Sequence, residues 1–345
     1  MKNLKKLITA LLFPVILIAM ITMSKEITTA ANAGIALCVQ VVIPSLFPFF
    51  VICTYLNGAI AQNELMLLRP LGRFCRIPKG SESIFLIGLL GGYPIGAQCV
   101  SQSHEMNILS KSDAERMLGF CNNAGPAFIF GMLSIYFPKK YMLWLLWLVQ
   151  IVSSILTAHL IPGLSDSTIN PNLEYKKISL PSAVRQSVQA MATVCGWVIL
   201  FRIIIHVTFG NLKAVSKWAL LLLTGVMELT NGCTMLTTVD RTGLRFVLSS
   251  ALLSFGGICV HMQTFSVTNN LQKHIYLIGK MLQTIISIVI STILQQWFFP
   301  TEARINPSIV LLCYILIFLI TTILLFFRKS SRFSARCVIQ YRKTR

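Results

Sequence analysis

The sequence predicts an all-α polytopic membrane protein of about 8–10 transmembrane segments, with two repeats that contain interrupted helices. Three observations predict it. Of 345 residues, 55% are hydrophobic and only 12% are charged, about half the ~25% of a soluble domain. Apolar stretches recur along the whole chain, many reaching the ~20 residues that span a bilayer as helix. The third observation is internal. Residues 38–131 and 187–263 each open an apolar segment with Val-Gln (Val39-Gln40, Val188-Gln189). Two further apolar segments follow in each half, each interrupted by Gly, Asn or Pro. Gly88 aligns with Gly225, and Gly125 with Gly256. Duplicated units with broken apolar helices point to a transporter whose site lies at the repeat interface. Ordinary kinked membrane helices are the alternative.

Residues 1–29 read as a signal-anchor helix. Lys2, Lys5 and Lys6 precede the apolar run 7–23. Ala31-Asn32-Ala33 resembles a cleavage site but lies well beyond the end of a run that is long for a secretory signal, so an uncleaved anchor is expected. Residues 30–161 form the first repeat, with segments at 33–57, 83–103, 117–137 and 141–161. Between the first two, residues 62–79 mix apolar and basic residues around Pro70, which suits a segment lying on the cytoplasmic leaflet. The linker 162–182 is polar and holds Pro162, Pro171 and Pro181. The second repeat occupies 183–300, with segments at 183–209, 215–235, 245–268 and 274–298. A last transmembrane helix is expected in 301–328 (apolar over 306–327), followed by a basic cytoplasmic tail, 329–345.

With the amino terminus in the cytoplasm and every segment crossing once, nineteen of the thirty basic residues fall inside. Arg69, Arg73, Arg76 and Lys79 are among them. Outside fall Lys25, Lys111, Arg116, Lys176, Lys177, Arg185, Arg241, Arg245 and Arg304. That bias satisfies the positive-inside rule with both termini cytoplasmic. On this count the two repeats share one orientation. If an interrupted segment re-enters instead of crossing, the parity flips and the repeats are inverted.

The net charge of +19 is concentrated beside membrane segments. From Arg328 to Arg345 there are seven basic residues and no acid, which places anionic lipid headgroups as the nearest partner. No aromatic platform accompanies them, and nucleic acid is not expected as a partner. Ten cysteines stand singly without a C-x-x-C pair, so neither a disulfide framework nor a zinc site is signalled. No G-x-S-x-G, H-E-x-x-H or phosphate-binding loop is present, so no enzyme activity and no cofactor or metal is expected.

The candidate site residues sit in the breaks. Gly91, Gly92, Tyr93, Pro94 and Gly96 interrupt one segment, and unwound backbone at membrane depth must face protein or a wet cavity. Asn122, Asn123, Gly125 and Pro126 form the next break, with two amides able to hold a ligand or satisfy freed backbone. In the second half Glu228, Asn231 and Gly232 form one break, and Gly256 and Gly257 another, with His261 and Gln263 a turn further on. Glu228 and Arg202 are ionisable groups inside apolar segments, which are functional hypotheses by default. Glu228 could carry a proton or neutralise Arg202. Arg202 could hold an anionic substrate or form a structural pair.

The stretches VIPSLFPFFV (42–51), GGYPIGAQ (91–98), NNAGPAFIFG (122–131), MELTNG (227–232) and LSFGGICVHMQ (253–263) resemble the YlbJ/SpoVV family of sporulation integral membrane proteins. The resemblance covers about residues 30–330. It implies two copies of the nucleoside-recognition Gate domain, and transport of dipicolinic acid across the mother-cell-derived outer forespore membrane. Gate domains also occur in nucleoside and ferrous-iron transporters. A small anionic substrate is thus the implied ligand, with Arg202 and the broken helices suited to its carboxylates. Protein partners under this reading are a second copy of the chain or other sporulation proteins. A non-transporting scaffold, and a membrane enzyme built on Glu228 and His261, are the readings from other classes.

Overall fold

The computed structural model describes residues 21–60, 66–162, 178–210, 216–268 and 270–299. The expected anchor over 7–23 lies almost wholly outside them, as do most of the linker, the last helix and the basic tail. Among the described residues the fold is entirely helical. The described residues open with α1 (Ser24–Leu37), which passes through a π-turn at Cys38–Val42 into α2 (Ile43–Ile60). This helix starts nine residues before the expected segment (Ser24 against residue 33) because the polar run KEITTAANAG continues it. Among the described residues six helices are long and apolar enough to cross a membrane: Ser24–Leu56, Lys111–Tyr136, Lys140–Leu160, Leu180–Phe209, Thr242–Val267 and His274–Phe298.

Two of these crossings are broken. One is α6 (Lys111–Cys121) and α7 (Pro126–Met132), reached after the short surface helix α3 (Arg69–Phe74) and the pair α4 (Glu82–Leu90) and α5 (Ile95–Glu105). Ser110 starts α6 by accepting the Asp113 N–H at 3.1 Å and donating to the Asp113 carboxylate at 2.6 Å. Pro126 starts α7, where no backbone donor is needed. The helix α8 (Lys140–Leu160) runs antiparallel along both pieces. Arg116 reaches the carbonyls of Ala158 and Ile161 at the end of α8, while Phe130 packs edge-on against Trp144 at its start.

The second half repeats this order. The long helix α9 (Leu180–Phe209) is followed by the pair α10 (Lys217–Met227) and α11 (Leu229–Met235), the broken crossing α12 (Thr242–Phe255) and α13 (Gly257–Val267), and α14 (His274–Phe298). Here too the last helix runs antiparallel along the broken one. Phe246 meets Phe299, Ser287 bonds the Ser250 carbonyl, and His261 meets Tyr276.

The segments expected at 83–103 and 215–235 do not cross. Each folds back on itself as a helical hairpin. A Cβ on Gly96 would lie 3.0 Å from the Gly88 Cα, so α4 and α5 lie side by side at their glycines. Gly232 meets Gly225 in the same way between α10 and α11. The two ends of the first hairpin therefore emerge together. Arg116, midway along α6, donates to the carbonyls of Cys75 (2.6 Å) and Arg76 (3.0 Å), which precede α4. Lys111 and Arg116 accordingly share a face with Arg69–Lys79, which corrects the single-crossing count. Arg116 is also no loop residue: it is fully buried and satisfies four backbone carbonyls.

Each half thus makes three crossings and one re-entry. The helices that open the halves are antiparallel: Gly34 packs against Ile199 and Arg202, and Cys38 against the Cys195 carbonyl. Small polar residues let the central helices approach closely. Ser153, Ser154 and Thr157 of α8, Ser249, Ser250 and Ser254 of α12, and Ser287, Ser291 and Thr292 of α14 are all buried. Several return their hydroxyl to the preceding turn, as Ser249 does to Arg245 and Thr157 to Ser153.

Candidate functional site

The four breaks meet in the interior. The tip of the first hairpin, Gly91–Pro94, lies against the unwound stretch Asn122–Gly125. A Cβ on Gly92 would sit 3.0 Å from the Gly125 nitrogen, and Gly92 has a left-handed φ of 78°. The tip of the second hairpin, at Glu228, lies against the break between α12 and α13. A Cβ on Gly257 would be 3.2 Å from both the Leu229 nitrogen and the Gly225 carbonyl. Gly256 and Gly257 both take positive φ (82° and 79°), a conformation open to glycine at no steric cost. Tyr93 joins the two pairs: its hydroxyl donates to the Leu253 carbonyl, and its ring borders Gly256.

The polar groups freed by the first break are met from α14. Lys280 has no exposed surface, and its Nζ donates to the Asn122 carbonyl at 2.9 Å and the Gln283 Oε1 at 2.7 Å. It also stands 5.6 Å from the centre of the Tyr93 ring. Gln283 donates onward to the Asn123 Oδ1 at 2.8 Å, and Asn123 donates to the Phe120 carbonyl at 2.7 Å. Asn122 donates to Thr264 at 2.8 Å; Thr264 and His261 both contact the Tyr276 hydroxyl, at 3.2 and 2.9 Å. The Asn122 Oδ1 and His261 Nε2 are buried with no hydrogen-bond partner.

The second break carries its own charge pair, held indirectly. Glu228 is buried and caps α11, accepting the N–H groups of Thr230 (2.9 Å) and Asn231 (2.6 Å). Arg202 donates to the Asn231 Oδ1 at 2.6 Å. Asn231 therefore stands between the two charges.

The expected residues separate into three groups. Gly91, Gly92, Tyr93, Pro94, Asn122, Asn123, Gly125 and Pro126 form the first-half breaks, which Tyr93 joins to Gly256 and which Asn122 joins to His261 through Thr264 and Tyr276, while Gly257 packs on the second hairpin. Glu228, Asn231 and Arg202 form the adjacent polar link. Gly96 and Gly232 serve hairpin closure, and Gln263 donates to the Cys259 sulfur a turn back on its own helix at 3.3 Å. Sequence reasoning left out Lys280, Gln283, Tyr276 and Thr264. A lysine in the middle of YLIGKMLQTII, with an amide three residues on, was the available signal.

These features define a polytopic α-helical membrane protein with two re-entrant hairpins and two broken crossings around a buried polar centre. The chain is 26% identical over 319 residues, covering 77% of each protein, to the sporulation integral membrane protein YlbJ of Bacillus subtilis strain 168. The similarity to that protein is in keeping with the motifs of the sequence. No protein-family model matches it, and no solved structure matches it.

Proposed function

We propose that the chain is a transporter that moves a small anion, dipicolinic acid, across the mother-cell-derived outer forespore membrane. The single observation that carries this reading is the meeting of four helix breaks in the buried interior, with a buried lysine on one of them, since broken helices in paired units mark transporter sites. Two Gate-like repeats in inverted orientation fit the recurring element order and the antiparallel opening helices. If the terminal apolar runs also cross, both termini share the face of Arg69–Lys79, which the positive-inside rule makes cytoplasmic. The chain acts on this reading without covalent chemistry, its own residues forming the path. The likeness to YlbJ supports the sporulation setting.

The test is uptake of labelled dipicolinate and labelled nucleosides by proteoliposomes containing the purified full chain. Saturable dipicolinate flux above empty liposomes is expected. Nucleoside flux without dipicolinate flux moves the chain to the nucleoside class, and no flux of either leaves the scaffold reading in its place.

A further inference from the structure

Lys280 presents its amine to the unwound backbone at Asn122, beside the Tyr93 ring. An ammonium has three N–H donors. Two are taken by neutral acceptors, the Asn122 carbonyl and the Gln283 side chain, and the Tyr93 ring lies beside it. Among the described residues no carboxylate lies within ion-pair distance of its nitrogen. Yet the position is fully buried two turns into an apolar 25-residue helix. A buried charge is costly without an opposite charge, and a neutral amide would serve equally well to bond the freed Asn122 carbonyl. The lysine thus supplies something the local backbone does not require: a basic amine with no counterion among the described residues.

We propose that Lys280 is the anion-binding residue of the site, taking one carboxylate of the transported solute. This rests on the anion-transport reading and names the group that recognises the charge. In the conformation described, the Asn122 carbonyl and Gln283 occupy the donors that the carboxylate takes. The Tyr93 ring, at the tip of the first hairpin, covers them. Asn122, bonded directly to the amine, and Asn123, reached through Gln283, are the polar neighbours of the bound group.

The experiment is calorimetric titration of the detergent-purified full chain with dipicolinate and with its uncharged diamide. Three proteins are compared: wild type, Lys280→Gln and Lys280→Arg. Glutamine keeps a donor for the Asn122 carbonyl and removes the charge. Wild type is expected to prefer the dianion over the diamide. Lys280→Gln is expected to weaken dianion binding roughly 30-fold or more and leave the diamide unchanged. Lys280→Arg is expected to retain the preference. Should Lys280→Gln fail to fold, the arginine variant decides, because the ratio of the two affinities is insensitive to the fraction folded; loss of the preference there overturns the assignment. Wild-type preference retained in Lys280→Gln also overturns it while leaving anion transport standing. A wild type that binds no dianion overturns both together.

Discussion

Gly92 and Gly125 face each other backbone to backbone: a Cβ on the first would lie 3.0 Å from the nitrogen of the second, and a Cβ on the second 2.9 Å from the nitrogen of the first. Neither position has room for a methyl group, and Gly92 also needs a left-handed φ. Gly92→Ala and Gly125→Ala should each lower stability by about 1–3 kcal/mol. Gly196→Ala is the control. Gly196 is exposed on α9 with nothing within 4 Å of its Cβ position. There alanine should be neutral or stabilising by up to about 1 kcal/mol. Thermal unfolding of the three purified variants checks the contrast. Equal melting temperatures for Gly92→Ala and Gly196→Ala would contradict the packing described.

The first hairpin makes a topological prediction. On a background lacking native cysteines, Lys79→Cys and Lys111→Cys should react with an impermeant maleimide from the same side of the membrane. Lys140→Cys should react from the other side, because α6 and α7 cross between them. All three positions are exposed. Lys111→Cys labelling from the side opposite to Lys79→Cys would mean that residues 82–105 cross after all.

Arg202 and Asn231 should be thermodynamically coupled. Removing Arg202 as alanine loses a hydrogen bond to a charged donor, about 1.5–3 kcal/mol. In an Asn231→Ala background the same change should cost much less, since the 2.6 Å bond is already gone. A double-mutant cycle by thermal or denaturant unfolding measures this. Strict additivity would mean that the two side chains do not interact.

Arg116→Met keeps much of the side chain's bulk and removes the donors for four buried carbonyls, those of Cys75, Arg76, Ala158 and Ile161. Leaving them unpaired should cost at least about 3 kcal/mol, and the variant should fail to accumulate in membranes. A lysine replacement, with one charged nitrogen in place of a fork, should recover only part of that loss. Immunoblotting of membrane fractions gives the readout; normal abundance of Arg116→Met would contradict the assignment.

The breaks were legible in the sequence because glycine, proline and paired amides at membrane depth have few other uses. Gly92, Asn123, Glu228 and Gly256 all mark the places where helices end. Hairpin or crossing was not legible. Two apolar helices of about ten residues have the same composition whether they continue or fold back, and hydropathy sees only composition. The distinction lies in contacts between Gly88 and Gly96 and between Gly225 and Gly232, which are tertiary. Arg116 was misplaced for a related reason: it follows Lys111 closely and reads as part of a charged loop. Its burial depends on four carbonyls from two distant chain segments. Lys280 was visible as a charge in an apolar run, but its importance comes from Asn122, 158 residues away.

Three crossings in each half bear on biogenesis. An odd count means that residues entering on one face leave on the other, so the second half starts from the face opposite to that on which α1 began. The insertion machinery must therefore thread the two halves in opposite senses. A chain cut between residues 162 and 178 would yield two fragments, each needing its own orientation signal, and neither could supply the other's.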